Sequence, residues 1–186
     1  MATIHVLDET TINKIAAGEV VERPASVIKE LIENSIDASA TNIEVEIGDG
    51  GVAYMRITDN GIGMTEEDAR LAILRHATSK IQHVEDLFDI ASLGFRGEAL
   101  ASIASVSHFS LTTRKADSDL GTRITVDGGT FTDCIPYGAA PGTTIEIRDL
   151  FYNTPARRKF LKTERTESSK IQDIVGKLAL SNPHIS

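Results

Sequence analysis

Short alternating segments, separated by glycine and proline, constrain the fold of this chain more than any other feature of its sequence. Ile43, Val45 and Ile47 alternate with polar residues, the glycine-rich run 48–51 turns the chain, and an extended pattern resumes over residues 52–58. This pattern predicts a β-hairpin. Four further strand-like segments lie near residues 107–113, 121–127, 129–135 and 143–149. The sequence therefore predicts a mixed, mainly antiparallel sheet.

Helical patterns predict what covers this sheet. Pro24 suits a first helical turn, and apolar residues at i, i+3 and i+4 spacing follow it, which predicts a helix over residues 25–37. Thr65 is expected to cap another helix. The predicted helices besides 25–37 cover residues 12–18, 66–74, 98–104 and about 167–180. We expect an α+β fold, a two-layer sandwich with helices on one face of the sheet.

Length and composition restrict the class of protein. The 186 residues suit one ordinary domain. No apolar run approaches the roughly 20 residues that span a bilayer, so we expect no membrane segment. Cys134 is the only cysteine, which excludes an internal disulfide and favours a reducing cytoplasm. The net charge of −8 leaves DNA binding open but unsupported.

The predicted helix 25–37 carries the first group of candidate functional residues. Glu30, Asn34 and Asp37 fall within an arc of roughly 60° beside the apolar face. An amide oxygen at Asn34 suits Mg²⁺, which keeps several waters and shares phosphate oxygens, while Glu30 could polarise an attacking water. The alternative is the solvated face of an amphipathic helix, and from these residues alone we favour that alternative.

Two glycine-containing motifs form further candidate sites. The run 59–63 (Asp-Asn-Gly-Ile-Gly) ends a predicted strand, where Asp59 could accept a hydrogen bond from a base amino group. The run 94–100 (Gly-Phe-Arg-Gly-Glu-Ala-Leu) enters a helix N-terminus, where free N–H groups attract phosphate. An ordinary turn and an ordinary loop–helix junction explain the same patterns. Thr143, at the start of a strand, could meet a base edge or be a strand former only.

The order of these motifs resembles the four motifs of the GHKL ATPase superfamily. Three further segments are specifically similar to MutL-type mismatch-repair proteins. They are residues 15–24 (Ile-Ala-Ala-Gly-Glu-Val-Val-Glu-Arg-Pro), 75–80 (Arg-His-Ala-Thr-Ser-Lys) and 151–158. The resemblance covers nearly the whole chain. It implies the GHKL, or Bergerat, form of the two-layer fold.

The resemblance also implies a role for each matching residue. Glu30 would be the general base, Asn34 the Mg²⁺ ligand, and Asp59 the adenine reader with Thr143 nearby. Gly61 and Gly63 would shape the adenine pocket, and Asp37 and Met64 would also contact nucleotide. The polar, aperiodic stretch 75–93 would be a lid over the nucleotide. Its nucleotide-binding residues would be Thr78, Ser79 and Lys80. The residues near the phosphates would be Gly94, Phe95, Arg96, Gly97, Glu98, Ala99 and Leu100.

At the level of the molecule, the resemblance implies a Mg²⁺-dependent ATPase, slow and used as a switch. ATP would promote homodimerisation through the N-terminal region of a longer protein. The implied partners are the mismatch-recognition protein MutS and, weakly and through the full-length protein, DNA, with no membrane. The implied location is cytoplasmic, with action at the nucleoid. Residues 1–186 would form the ATPase domain of a longer protein. The following transducer domain, which contributes a lysine to the γ-phosphate, and the C-terminal dimerisation domain would be absent here. We therefore expect this chain to be weakly active or inactive as an ATPase.

One position departs from the family pattern. Ser39 stands where the family usually has glycine after the Asp-Ala pair. We expect this residue to stiffen the turn without affecting the chemistry.

Two other functions remain open from the sequence. A basic stretch, which could bind DNA or be a solvated helical surface, consists of Arg157, Arg158, Lys159, Lys162 and Arg165. The chain could also be the ATPase domain of a chaperone or a topoisomerase. The MutL-like segments 15–24 and 151–158 argue against this last function.

Overall fold

A six-stranded sheet forms one layer of the molecule. The structure is a computed structural model that describes residues 18, 20–75, 77 and 97–186. The strands are β1 (Ile43–Gly48), β2 (Tyr54–Asp59), β3 (His108–Arg114), β4 (Gly121–Asp127), β5 (Thr130–Tyr137) and β6 (Gly142–Arg148). Their order across the sheet is β1-β2-β6-β3-β4-β5, and every pairing is antiparallel.

Five α-helices have bounds that lie within the described part of the chain. They are α1 (Pro24–Asp37), α2 (Glu66–Ala72), α3 (Ala99–Ala104), α4 (Pro155–Phe160) and α5 (Glu164–Ser181). Helix α1 packs on both α5 and β2, and α3 packs on β3. None of the described helices is long and apolar enough to cross a membrane.

The core lies between the helices and one face of the sheet. Val27, Ile28 and Leu31 of α1 are almost completely buried, as are Met55 of β2 and Leu111 of β3. Burying a side chain of this size contributes roughly 1.5–3 kcal/mol. The apolar residues at i, i+3 and i+4 spacing on α1 therefore pack in one cluster with the alternating apolar residues of the strands.

The antiparallel register brings the ends of four strands together. Asp59, the last residue of β2, lies opposite Thr143 of β6, and Thr143 lies opposite Thr113 of β3. Thr113 in turn lies opposite Thr122 of β4. Directly opposed residues share a face of the sheet. Residues far apart in sequence thus form one row.

The structure confirms the predicted α+β fold and most of its elements. The helix predicted over 25–37 and the hairpin are present, and Thr65 caps α2 by accepting the Asp68 N–H. Two details differ. No parallel pairing occurs among the described strands, and part of the basic stretch forms the helix α4, since Pro155 starts a helical turn there. The predicted helix 12–18 and the predicted loop 75–93 lie almost wholly outside the described residues.

Candidate functional site

Asp59 is a buried carboxylate at the end of a central strand. Its Oδ1 accepts the backbone N–H of Gly61 at 2.9 Å and that of Thr143 at 3.3 Å. Its Oδ2 lies 2.8 Å from the hydroxyl of Ser35, which donates to it from α1. Three donors from three separate segments therefore hold one carboxylate in place.

Burial dominates the ionisation of this carboxylate. Burial raises the pKa of Asp59 above its ordinary value, and the hydrogen bonds from Gly61, Ser35 and Thr143 oppose this shift without cancelling it. A carboxylate oxygen can accept two hydrogen bonds. Since Oδ2 receives only the Ser35 hydroxyl in the described contacts, it retains the capacity for a further donor.

The loop after Asp59 follows the wall of this site closely. The N–H of Ile62 donates to the carbonyl of Ala38 at 3.0 Å. Gly63 has φ +65°, and a Cβ there would overlap the Arg114 carbonyl. Met64 donates its N–H to the Thr113 hydroxyl at 2.9 Å. A glycine is therefore required at position 63, because any side chain there would push the loop away from the sheet.

Helix α1 supplies the remaining polar residues of this site. Glu30, Asn34 and Asp37, which the spacing predicts to share one arc of this helix, are all half-buried. Lys29 holds the buried Glu33 with its Nζ 2.7 Å from Oε1, and the same Nζ lies 3.9 Å from Oε1 of Glu30. These residues begin one turn before Ser35, whose hydroxyl joins the helix to Asp59. The helix thus connects the two predicted groups.

The predicted phosphate and lid segments are described only in part. Gly97, Glu98, Ala99 and Leu100 are half-buried where α3 begins. Gly97 has φ +60°, and a Cβ there would lie 2.5 Å from the carbonyl oxygen of Ala77. The remaining residues of these predictions lie outside the described residues; they are Thr78, Ser79, Lys80, Gly94, Phe95 and Arg96.

The basic stretch does not form a uniform surface. Arg158 and Lys159 of α4 are exposed, as are Lys162 and Arg165. Arg157 is half-buried, and burial lowers the pKa of its guanidinium. DNA binding by this stretch stays a prediction.

Sequence reasoning missed two residues that the structure places in the site. Ser35 follows Asn34 and reads as a small residue of the buried helix face, and Thr113 reads as an ordinary strand former. Both hydroxyls are buried and make hydrogen bonds to site residues. Only the register of β2, β6 and β3 reveals the role of Thr113, and a single sequence does not contain that register.

Known proteins resemble this chain in sequence. The model of the family described as histidine kinase-, DNA gyrase B- and HSP90-like ATPase matches residues 22–130. The DNA mismatch repair protein MutL of Thermoanaerobacter pseudethanolicus is 59% identical over 186 residues, which are 100% of this chain and 30% of that protein. MutL of Desulforamulus reducens is 56% identical over 185 residues, which cover 100% of this chain and 29% of that protein. The chain thus spans about 30% of the length of these curated relatives.

Solved structures resemble the fold as well. The Aquifex aeolicus MutL ATPase domain complexed with ADP matches with a TM-score of 0.69 and 39% identity, over 89% of this chain and 58% of that one. The N-terminal domain of a DNA repair protein matches with a TM-score of 0.78 and 30% identity, over 94% of this chain and 50% of that one. One of these two related structures, that of the Aquifex aeolicus domain, thus contains ADP.

Proposed function

The chain belongs to the family of histidine kinase-, DNA gyrase B- and HSP90-like ATPases, in which it resembles the ATPase region of MutL. From this premise we propose that the chain binds ATP beside Asp59 with Mg²⁺ and hydrolyses the ATP slowly. The observation that carries the proposal is the buried Asp59 carboxylate, held by Gly61, Ser35 and Thr143 with capacity for one more donor on Oδ2.

Asp59 reads the base in this proposal. An exocyclic amine offers N–H donors, and a carboxylate can only accept. The backbone of the Gly61–Gly63 loop would lie close to the base. A side chain at Gly63 would overlap the Arg114 backbone and move this loop. A buried, charge-assisted hydrogen bond of this kind is worth roughly 1.5–3 kcal/mol. The amine of adenine is the group that fits this acceptor.

Helix α1 performs the phosphate chemistry. Asn34 would hold a Mg²⁺ ion through its amide oxygen, and such an ion typically takes one or two protein ligands and completes its shell with phosphate oxygens and waters. The donor fits this role, because the half-buried Asn34 offers a neutral amide oxygen, the kind of ligand that a hard cation such as Mg²⁺ takes. When bound, the ion would neutralise charge on the phosphates.

Glu30 acts as the general base for hydrolysis. It lies one turn before Asn34 on the same face of α1, and both are half-buried. Glu30 takes a proton from a water as the water oxygen bonds to the γ-phosphorus. The bond from that phosphorus to the bridging oxygen then breaks, and ADP leaves. Asp37, Met64, the segment 78–80 and the segment 94–100 complete the nucleotide site in this proposal.

We further propose that this ATPase works as a switch in DNA mismatch repair. The support is the identity of 56–59% with MutL proteins across the chain. In a protein as long as these relatives, ATP would favour a homodimer, and hydrolysis would reset binding to MutS and, weakly, to DNA. The proposed location is cytoplasmic.

Two substitutions on α1 test the chemistry. General-base catalysis contributes roughly 10²–10⁴-fold, so Glu30→Ala in the full-length protein is expected to lower single-turnover phosphate release at least about 100-fold while nucleotide binding persists. Asn34→Ala is expected to weaken binding only where Mg²⁺ is present. Phosphate release and calorimetric titration with and without Mg²⁺ measure both effects.

Glu44→Ala is the matched control, because Glu44 is an exposed glutamate on β1. It should behave as the unsubstituted chain does. Unchanged turnover in Glu30→Ala would overturn the general-base role. Equal Mg²⁺-dependence in Asn34→Ala and the unsubstituted chain would overturn the metal role.

A further inference from the structure

Thr113 is a buried hydroxyl residue at the centre of the row that contains Asp59 and Thr143. Its side chain is 1% exposed. The Thr113 Oγ1 lies 2.9 Å from the Met64 nitrogen, 3.0 Å from the Gly142 carbonyl oxygen and 3.0 Å from the Thr143 Oγ1. One hydroxyl therefore contacts the loop after β2 and the start of β6 at once.

Two of these three contacts fix the direction of the Thr113 proton. The Met64 N–H can only donate, so Thr113 accepts there. The Gly142 carbonyl can only accept, so Thr113 donates its single proton there. One lone pair of Thr113 then remains for the third neighbour. The Thr143 hydroxyl must donate to it.

The orientation of the Thr143 hydroxyl follows from this arrangement. With its own proton directed to Thr113, Thr143 Oγ1 presents only lone pairs to a ligand. Asp59 Oδ2 also presents only a lone pair. Asp59, which reads the base in the proposed function, and the neighbouring Thr143 side chain thus both present acceptors.

We propose that Thr113 is a positioning residue that keeps Thr143 as a hydrogen-bond acceptor, so that the site selects a purine with a 6-amino group over one with a 6-keto group. This inference rests on the proposed function, since it assumes that the base lies beside Asp59 and Thr143. A 6-keto oxygen would face two acceptors and gain no hydrogen bond, whereas an amine donates to them.

Removing the Thr113 hydroxyl tests this role. In Thr113→Val the Thr143 proton loses its acceptor and becomes free to turn toward the base. The affinity for ATP is expected to fall and that for inosine triphosphate to rise, so that the preference for ATP narrows about tenfold. Thr113→Ser retains the hydroxyl and should restore the preference. Calorimetric titration of the chain with each nucleotide measures the ratio.

The control is Thr122→Val, which replaces a buried threonine directly opposite Thr113 on β4. It should leave the ratio unchanged. In a Thr143→Val background, Thr113→Val should have no further effect on the ratio, because Thr113 acts through Thr143. Melting temperatures without nucleotide report on folding, and Thr113→Ala replaces the valine variant if that variant does not fold.

The outcomes separate this inference from the proposed function. Equal losses for both nucleotides in Thr113→Val would make Thr113 a structural residue and overturn the inference. An unchanged ratio, or an additive effect in the Thr143→Val background, would also overturn it. If the unsubstituted chain binds neither nucleotide, the proposed function itself fails, and if it binds both equally, the reading of the base by Asp59 fails.

Discussion

At the scale of single residues, burial of the ionised Asp59 carboxylate lowers the stability of the fold. Burial raises its pKa above that of the unfolded chain despite the donors Gly61, Ser35 and Thr143. The native state therefore holds this proton to a higher pH than the unfolded state does. The stabilising contribution of the protonated form is complete below the unfolded pKa and is lost as pH rises through the folded pKa. At neutral pH the ionised Asp59 costs the fold free energy.

The positive φ of Ser39 also lowers the stability of the fold, and Ser39 has no role in the proposed chemistry. It is exposed and has φ +58°, in the left-handed region that favours glycine. Ser39→Gly removes the strain at the price of more freedom in the unfolded chain, so we expect a net gain of about 0.5–1 kcal/mol in unfolding free energy. Urea denaturation measures it. Ser39→Ala, which keeps a Cβ, should gain nothing, and a loss of stability in Ser39→Gly would contradict this account.

At the scale of elements, the sequence predicts best where a repeat of apolar residues continues over a whole helix or strand. Helix α1 and the β1–β2 hairpin are of this kind. The turn after β6 is not, because Asp149 and Phe151 adopt positive φ without a glycine to indicate it. Backbone hydrogen bonds from Phe151 to Val106 and from Leu150 to Val52 impose that turn. Tertiary contacts of this kind are invisible in a local pattern.

The junction between α5 and the start of α1 depends on Glu167. This side chain is 1% exposed, its Oε1 accepts the Lys162 N–H at 3.0 Å, and the same oxygen lies 4.0 Å from Arg23 Nη1. Glu167→Ala removes the acceptor of the Lys162 N–H and leaves the buried Arg23 Nη1 without its carboxylate, so we expect a loss of about 1–3 kcal/mol in unfolding free energy. Thermal and urea denaturation measure the loss.

Glu164→Ala is the comparison for this substitution, since Glu164 is exposed in the first turn of the same helix. We expect it to change stability by no more than about 0.5 kcal/mol. Equal effects of the two substitutions would show that Glu167 contributes no more than a surface charge.

At the scale of the whole molecule, the sequence indicates the main candidate site residues but not the contacts between them. Glu30, Asn34 and Asp59 follow from motif chemistry. Ser35 and Thr113 do not, because their roles depend on the distance between α1 and β2 and on the strand order β2-β6-β3. Ser35 holds the Asp59 carboxylate, and Thr113 contacts Thr143 and Met64, so tertiary contacts fix these positions.

The most direct measurement of the central claim is calorimetric titration of the chain and of Asp59→Asn with a non-hydrolysable ATP analogue and Mg²⁺. The asparagine keeps an oxygen for the Gly61 and Thr143 amides, and Ser35 can turn its proton to the Leu31 carbonyl, 3.1 Å away. The fold should persist with no lower melting temperature at neutral pH. We predict one site in the unsubstituted chain and an affinity at least about tenfold weaker in Asp59→Asn. No binding by the unsubstituted chain, or equal affinity in the variant, would contradict the account.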